Sequence, residues 1–332
     1  MLGEFDLIAR YLAPLAAESP GAFGLADDGA LLGDGACVVT LDTLVAGTHY
    51  LPDDPADLVA RKALRVNLSD LAAMGARPTG YLLSLALDPS ADEAWVARFA
   101  EGLAADQARY DVRLYGGDTT RTPGPTTLSV TAFGALDGMP PLRRSGARAG
   151  DHVYVSGTIG DAALGLAAAR GVLGNLAESD RAALADRYRV PQPRVALGQA
   201  LCARGLARAA IDISDGLVAD LGHICRQSGV AADVAVRRIP LSTAAQRLVE
   251  TDVSYLTTAL TGGDDYELAF TAPPANAPAL ADLARALDLP LTCIGTVGEG
   301  STVVVRDPDG RPMAFDWPGW THFGDGPRRQ QS

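Results

Sequence analysis

Six short stretches rich in Asp and Gly recur along the 332 residues: DDGALL from Asp27, TLDTLV around Asp42, NLSD ending at Asp70, GGDTTR from Gly116, DISDG from Asp212 and GGDDYEL from Gly262. Carboxylates in glycine-rich turns point to hard cations holding a phosphorylated ligand, because Mg2+ takes oxygen ligands and bridges carboxylates to phosphates. Lys62 is the only lysine, and it sits in ARKALR with no glycine nearby, which excludes a G-x-x-x-x-G-K-[ST] phosphate loop. Its helical setting and the lack of HRD or DFG motifs argue against a protein-kinase-like site. Arg143 and Arg144 offer guanidinium forks for phosphate oxygens instead, or form a solvated charge pair.

Each motif also has a plainer reading. Alternation along a strand puts Asp212 and Ser214 on one side, ready for metal or phosphate; the same run could simply cap the helix that follows Asp215. A calcium EF-hand counted from Asp212 fails, because His223 stands where the bidentate Glu belongs. Gly116 and Gly117 let backbone approach a ligand before Asp118, or they make a tight turn. Asp28 and Asp42 count only by convergence. Asp70 ends an apolar helix, where a carboxylate needs a partner. His49 and Trp320 are lone residues with structural alternatives. No Ser-His-Asp order, HExxH or GxGxxG appears.

The elements that must position these groups follow from periodicity. Residues 4–17 read as an amphipathic helix with Phe5, Ile8, Leu12 and Leu15 at helical spacing. CVVTLDTLVAG, from Cys37, reads as a strand bearing Asp42, and residues 55–74 as a helix ending near Asp70. A helix over 91–109 precedes the strand VRLYGG, which delivers Asp118 from a glycine turn, and then the strand TLSVTAFGAL. Beyond the Gly-, Pro- and charge-rich DGMPPLRRSGARAGD, strands are expected at HVYVSG, AAIDIS, AADVAV, ELAFTA, LTCIGTV and STVVVR. Helices are expected at GDAALGLAAARGVL, RVALGQALCARGLA, DGLVADLGHICRQSG and ALADLARALD. The fold class is therefore a two-domain α+β and α/β chain. Residues 1–137 form an N-terminal mixed-sheet domain, 138–148 a linker, 149–323 a C-terminal α/β sandwich domain and 324–332 a frayed tail.

A net charge of −12 without a basic patch argues against nucleic acid. Cys37, Cys202, Cys225 and Cys293 form no CxxC and read as reduced thiols. MLGEFDLIAR lacks the basic start of a signal peptide, and no apolar run approaches the ~18 residues that span a membrane. A soluble cytoplasmic protein is the expectation.

Taken in order, GEFDLIARYL, the Asp27–Asp28 pair, DTLVAGTHY, NLSDLAAMGA, GGDTTR, RSGARAGD, ISDGLVADLGHI, GGDDYEL and GWTHF resemble the thiamine-monophosphate kinase family. That family lies in the superfamily of aminoimidazole ribonucleotide synthetase and selenophosphate synthetase. The resemblance implies ATP-dependent phosphorylation of thiamine monophosphate to thiamine diphosphate, the last step of its synthesis, with several Mg2+ ions and ATP as co-substrate. It implies a homodimer whose N-terminal domains join their sheets. It implies metal ligands at Asp28, Thr40, Asp42, Asp70, Asp118, Asp212 and Asp215, with Leu41 offering only its backbone where the family commonly has a hydroxyl. ATP contacts are implied at Gly117, Asp118, Arg144 and Ser214. Thiamine monophosphate contacts are implied at His49, Asp264 and Trp320, with Asp264 one methylene shorter than the family's usual Glu. No covalent nucleophile is implied, the chemistry being metal-assisted through Asp118, Asp212 and Asp215. Two rival readings are another ATP-dependent member of the superfamily and a non-catalytic nucleotide- or metal-binding protein.

Overall fold

The stretch expected as one amphipathic helix forms a single α-turn, α1 (Glu4–Leu7), then widens to a π-turn at Ile8–Leu12 and tightens to a 3-10 turn at Ala13–Ala16. Pro14 is one cause, since it has no N–H to continue the ladder. The apolar stripe is not buried either: Phe5, Leu12 and Leu15 are 49%, 44% and 81% exposed.

This computed structural model describes residues 3–33, 35–174 and 176–321, so the expected tail 324–332 lies outside the described residues. The apolar runs of the first half become β1 (Ala30–Leu32), β2 (Cys37–Val45), β3 (Arg77–Leu87), β4 (Arg113–Arg121) and β5 (Thr127–Ala135). They pair in the order β1-β2-β5-β3-β4, and only β3 with β4 is parallel. Two helices, α2 (Ala56–Ala73) and α3 (Glu93–Tyr110), cover one face through a core that includes Leu64, Leu68, Leu71, Phe99, Leu128 and Val130. The other face is open. Leu41, Thr131 and Leu82 share one register row on it, and Leu41 is 62% exposed.

β3 carries no strand reading in the sequence, because Pro78 and Gly80 look like breakers. Both sit at a register shift that absorbs them, and a Cβ at Gly80 would strike the Tyr115 ring. The glycine turn expected before Asp118 is likewise absent. Gly116 and Gly117 lie inside β4, where a Cβ on Gly117 would come within 1.8 Å of the Leu83 carbonyl oxygen.

The second half builds a six-stranded sheet from β6 (His152–Ser156), β7 (Ala209–Asp212), β8 (Ala231–Ala235), β9 (Leu268–Ala272), β10 (Leu291–Gly298) and β11 (Val303–Arg306). The order is β11-β8-β10-β6-β9-β7. Around it lie α4 (Asp161–Ala169), α5 (Glu178–Arg189), α6 (Val195–Ala203), α7 (Leu217–Ser228), α8 (Thr243–Thr251), α9 (Ser254–Thr261) and α10 (Ala277–Leu287). One core joins α7 to the sheet through Leu217, Leu221 and Ile211, and a second joins α6 and α10 through Leu201, Leu283 and Phe270. α5, α8 and α9 have no counterpart among the expected elements.

Fourteen residues of α2 are buried, because the helix is clamped between the first sheet and the second half. Its C-terminal Ala72 and Ala73 belong to the core around α6. Fully buried Arg65 donates to both Asp106 oxygens at 2.6 and 2.8 Å and to the Pro191 carbonyl at 2.9 Å. Such a charge is tolerated inside only when fully paired, and this pairing locks α2 to α3 and to the second half.

Candidate active site

α2 runs along the cleft between the halves, and its 3.6-residue period lines up Lys62, Val66 and Asp70 on the wall of a 460 Å3 cavity. Asp28 enters from the loop before β1, Thr40 and Asp42 from β2, and Asp212, Ser214 and Asp215 from the end of β7. Arg144 reaches in from the segment between the halves. His49, Asp264 and Trp320 complete the wall.

At the centre, carboxylate oxygens of Asp28, Asp70 and Asp212 all lie within 4.8 Å of one another. Among the described residues, Oδ2 of Asp28 and Oδ2 of Asp212 are buried with no hydrogen-bond partner. Such groups cost free energy unless something satisfies them, and here all the donors are hard oxygens. The set therefore fits a hard divalent cation. Thr40 Oγ1 donates to Asp70 Oδ2 in a short hydrogen bond.

Without a cation, burial and mutual repulsion raise the pKa values of these acids. Burial, then the charge of Asp28, pushes Asp212 up to about 8. Burial, then Glu4, raises Asp215 to about 7, and burial raises Asp42 to about 6. Asp70 rises well above the usual carboxylate range through burial and then Asp42, and burial raises Asp28 too.

The two arginines divide their work. Arg143 pairs with Asp27 at 2.7 Å and lies over the Phe23 ring at 3.9 Å, which makes it structural. Arg144 donates Nε to Asp28 Oδ1 at 3.1 Å and remains on the cavity wall. Asp27 steadies the turn by accepting the Arg144 backbone N–H at 2.7 Å.

The DISDG and GGDDYEL loops are built against each other. Asp264 N–H donates to Ser214 O at 2.9 Å, Tyr266 N–H to Ile213 O at 2.8 Å, and Trp320 N–H to Asp215 O at 2.9 Å. A Cβ at Gly263 would come within 2.1 Å of Ser214 O, so only glycine fits. Asp264 and Tyr266 hold φ of 76° and 51°, a left-handed backbone that non-glycine residues adopt at a cost and that clusters at functional sites. Beside this loop a 250 Å3 side cavity is lined by Ala163, Leu166, Asp264 and Trp320. A third cavity, of 680 Å3, continues past Phe5, His223 and Trp320.

One chain thus brings together Asp28, Thr40, Asp42, Asp70, Arg144, Asp212, Ser214, Asp215, His49, Asp264 and Trp320. Leu41 lines the same cavity, although its side chain faces outward. Gly117 and Asp118 stand apart. Asp118 shares a register row with Ser84, Ser129 and Thr43, with β3 and β5 between it and β2. Three strand spacings of about 4.8 Å put it roughly 14 Å from that end of the row. All nine residues of β4 are exposed.

Sequence reasoning missed Lys62, Asn67 and Asp220. Lys62 reads in the sequence as a helical residue away from glycine, yet its four-residue steps to Val66 and Asp70 mark the cavity face. Asn67 Oδ1 accepts the Asp42 N–H at 3.1 Å, and Asp220 Oδ2 accepts those of Asp215 and Gly216, each at 3.1 Å. The acidic residue in the first turn of α7 was a readable signal for the second.

Comparison with known proteins gives a consistent result. Residues 26–136 match the AIR synthase related protein N-terminal domain, and residues 148–308 the corresponding C-terminal domain. The chain is 47% identical to a thiamine-monophosphate kinase from Salmonella typhimurium, over 97% of this chain and 98% of that protein. The crystal structure of thiamine-monophosphate kinase from Stenotrophomonas maltophilia is 45% identical with a TM-score of 0.76, covering 94% of this chain and 98% of that one. A solved structure of AaThiL complexed with AMPPCP and TMP is 33% identical with a TM-score of 0.83, covering 97% of both chains.

Proposed function

This chain belongs to the thiamine-monophosphate kinase family of AIR synthase related proteins, and from that premise we propose that it phosphorylates thiamine monophosphate with ATP to give thiamine diphosphate. The observation that carries the reading is the Asp28, Asp70 and Asp212 cluster, with Asp28 and Asp212 buried, in a cleft that also holds His49, Asp264 and Trp320. An acidic cavity with no lysine loop suits a reaction between two anions only if cations accompany them.

Mg2+ held by Asp28, Asp70 and Asp212, with Thr40, Asp42 and Asp215 beside them, would supply the positive charge that offsets both phosphate groups. Arg144, steered by Asp28 and Asp27, meets the ATP phosphates alongside Ser214. The thiamine rings enter the 250 Å3 side cavity, where Trp320 faces the cationic thiazolium. His49 and Asp264 border the acceptor phosphate.

An oxygen of that phosphate then attacks the γ-phosphorus in line, forming one P–O bond as the bond to ADP breaks. No enzyme nucleophile takes part. The acceptor's second pKa of about 6 leaves it largely ionised at neutral pH, so the chain needs no strong base. The contribution of the protein is orientation and charge.

The active form in this reading is a homodimer. β1 covers only Cys37–Val39, so among the described residues the edge of Thr40–Val45 away from β5 pairs with no strand. β4 of a second copy would complete that edge, cover the open face bearing Leu41, Leu82 and Tyr115, and bring its Gly117 and Asp118 beside Asp42. A cytoplasmic setting accords with four cysteines that form no disulfide.

The test is purified protein with ATP, MgCl2 and thiamine monophosphate. ADP and thiamine diphosphate in equal amounts support the reading. ADP alone points to another acceptor, and the absence of both products refutes kinase activity.

A further inference from the structure

Lys62 is the one lysine of the chain, and it is 2% exposed. Burying an ammonium is costly unless its donors are matched, so the groups around it reveal what the charge is for. Nζ donates to His49 O at 3.0 Å and to Asp264 Oδ2 at 3.2 Å, and it lies 3.8 Å from the centre of the Tyr188 ring. The Tyr188 hydroxyl donates to the same His49 carbonyl at 3.4 Å.

These partners come from separate parts of the fold. His49 belongs to the loop after β2, where its Nδ1 accepts the Val45 N–H at 2.9 Å. Asp264 lies on the strained loop before β9, and Tyr188 on α5. A single ammonium on α2 thus joins the first half of the chain to the second at the edge of the cavity.

From this arrangement we infer that Lys62 is the positioning residue of the acceptor subsite: it holds His49 and Asp264 in register across the two halves and neutralises Asp264 toward an incoming phosphate monoester. The inference rests on the kinase reading above, in which His49 and Asp264 border thiamine monophosphate. Charge decides the argument. Asp28, Asp42, Asp70, Asp212 and Asp215 already crowd the cavity, and an unpaired Asp264 carboxylate would repel the acceptor dianion. Arg144 pairs with Asp28 on the ATP side, and Lys62 pairs with Asp264 on the acceptor side.

The experiment compares steady-state kinetics of wild type, Lys62→Met, Lys62→Arg, Asp264→Asn and the Lys62→Met/Asp264→Asn double variant, with thermal melting as the check on folding. Lys62→Met raises KM for thiamine monophosphate at least tenfold while KM for ATP stays within about twofold, and Lys62→Arg recovers part of the loss. The double variant is less impaired than the product of the two single effects, because both remove one interaction. Equal rises in both KM values, or a double variant equal to that product, overturn the inference. Should Lys62→Met fail to fold, Lys62→Arg and Asp264→Asn decide it: an unchanged thiamine monophosphate KM in both overturns the assignment. A wild type that makes no thiamine diphosphate overturns the kinase reading itself and this inference with it; an active wild type with an unperturbed Lys62→Met overturns this inference alone.

Discussion

Asp28, in the loop before β1, and Asp212, at the end of β7, meet across the cleft, each with a buried Oδ2 that no described group satisfies. Their closeness works against the stability of the metal-free fold, since like charges in a buried site disfavour ionisation. Removing one of those charges should harm chemistry and spare the fold. Asp212→Asn is expected to lower turnover on the order of 100-fold or more, while the metal-free melting temperature holds or rises. Near-normal turnover at saturating Mg2+ would take Asp212 out of the metal set.

The same acids predict a pH dependence. Their folded-state pKa values are raised, to about 8 for Asp212, 7 for Asp215 and 6 for Asp42. A raised carboxyl contributes stability that is complete below its unfolded pKa near 4 and lost as pH climbs through the folded value. The metal-free protein should therefore weaken between about pH 4 and 8. A cation needs the ionised carboxylates and must displace their protons, so Mg2+ affinity should climb roughly tenfold per pH unit for each proton released. Calorimetry at pH 6 and 8, in buffers of different ionisation enthalpy, counts those protons. Binding without proton release, or with affinity flat across that range, contradicts the assignment.

Trp320 lines all three adjoining cavities, and its backbone is fixed to Asp215. A cation–π contact with the thiazolium contributes on the order of 0.5 to 2 kcal/mol. Trp320→Ala should accordingly raise the thiamine monophosphate KM by roughly 2- to 30-fold and leave kcat nearly unchanged. An unchanged KM would return the ring to a packing role.

The motifs name residues that the fold does bring together, Asp28, Asp42, Asp70 and Asp212, although Asp28 and Asp42 carry weight only by convergence. What periodicity could not convey was partnership. Lys62 looks like any helical lysine until the second half of the chain brings Asp264 against it. The stripe of Phe5, Leu12 and Leu15 has the spacing of a buried face, yet a single chain leaves it exposed. β3 hid behind Pro78 and Gly80, whose conflict with a strand is resolved by a register shift that only the paired strand reveals. Asp118 belongs to the same class: its motif is plain, and it is the homodimer proposed above that would carry it to a site.

That destination can be tested by complementation. If β4 of one copy brings Asp118 to the Asp42 and Asp212 of the other, Asp118→Asn and Asp212→Asn damage opposite contributors to each site. Each variant alone is then inactive. In a mixed dimer one site carries both substitutions and the other carries neither. Random exchange makes half of the dimers mixed, and half of their sites are intact, so mixing equal amounts should restore about a quarter of wild-type activity. The measurement is turnover after subunit exchange through mild denaturant and refolding. Activity that stays at the level of the separate variants would mean that Asp118 serves its own chain or no site at all.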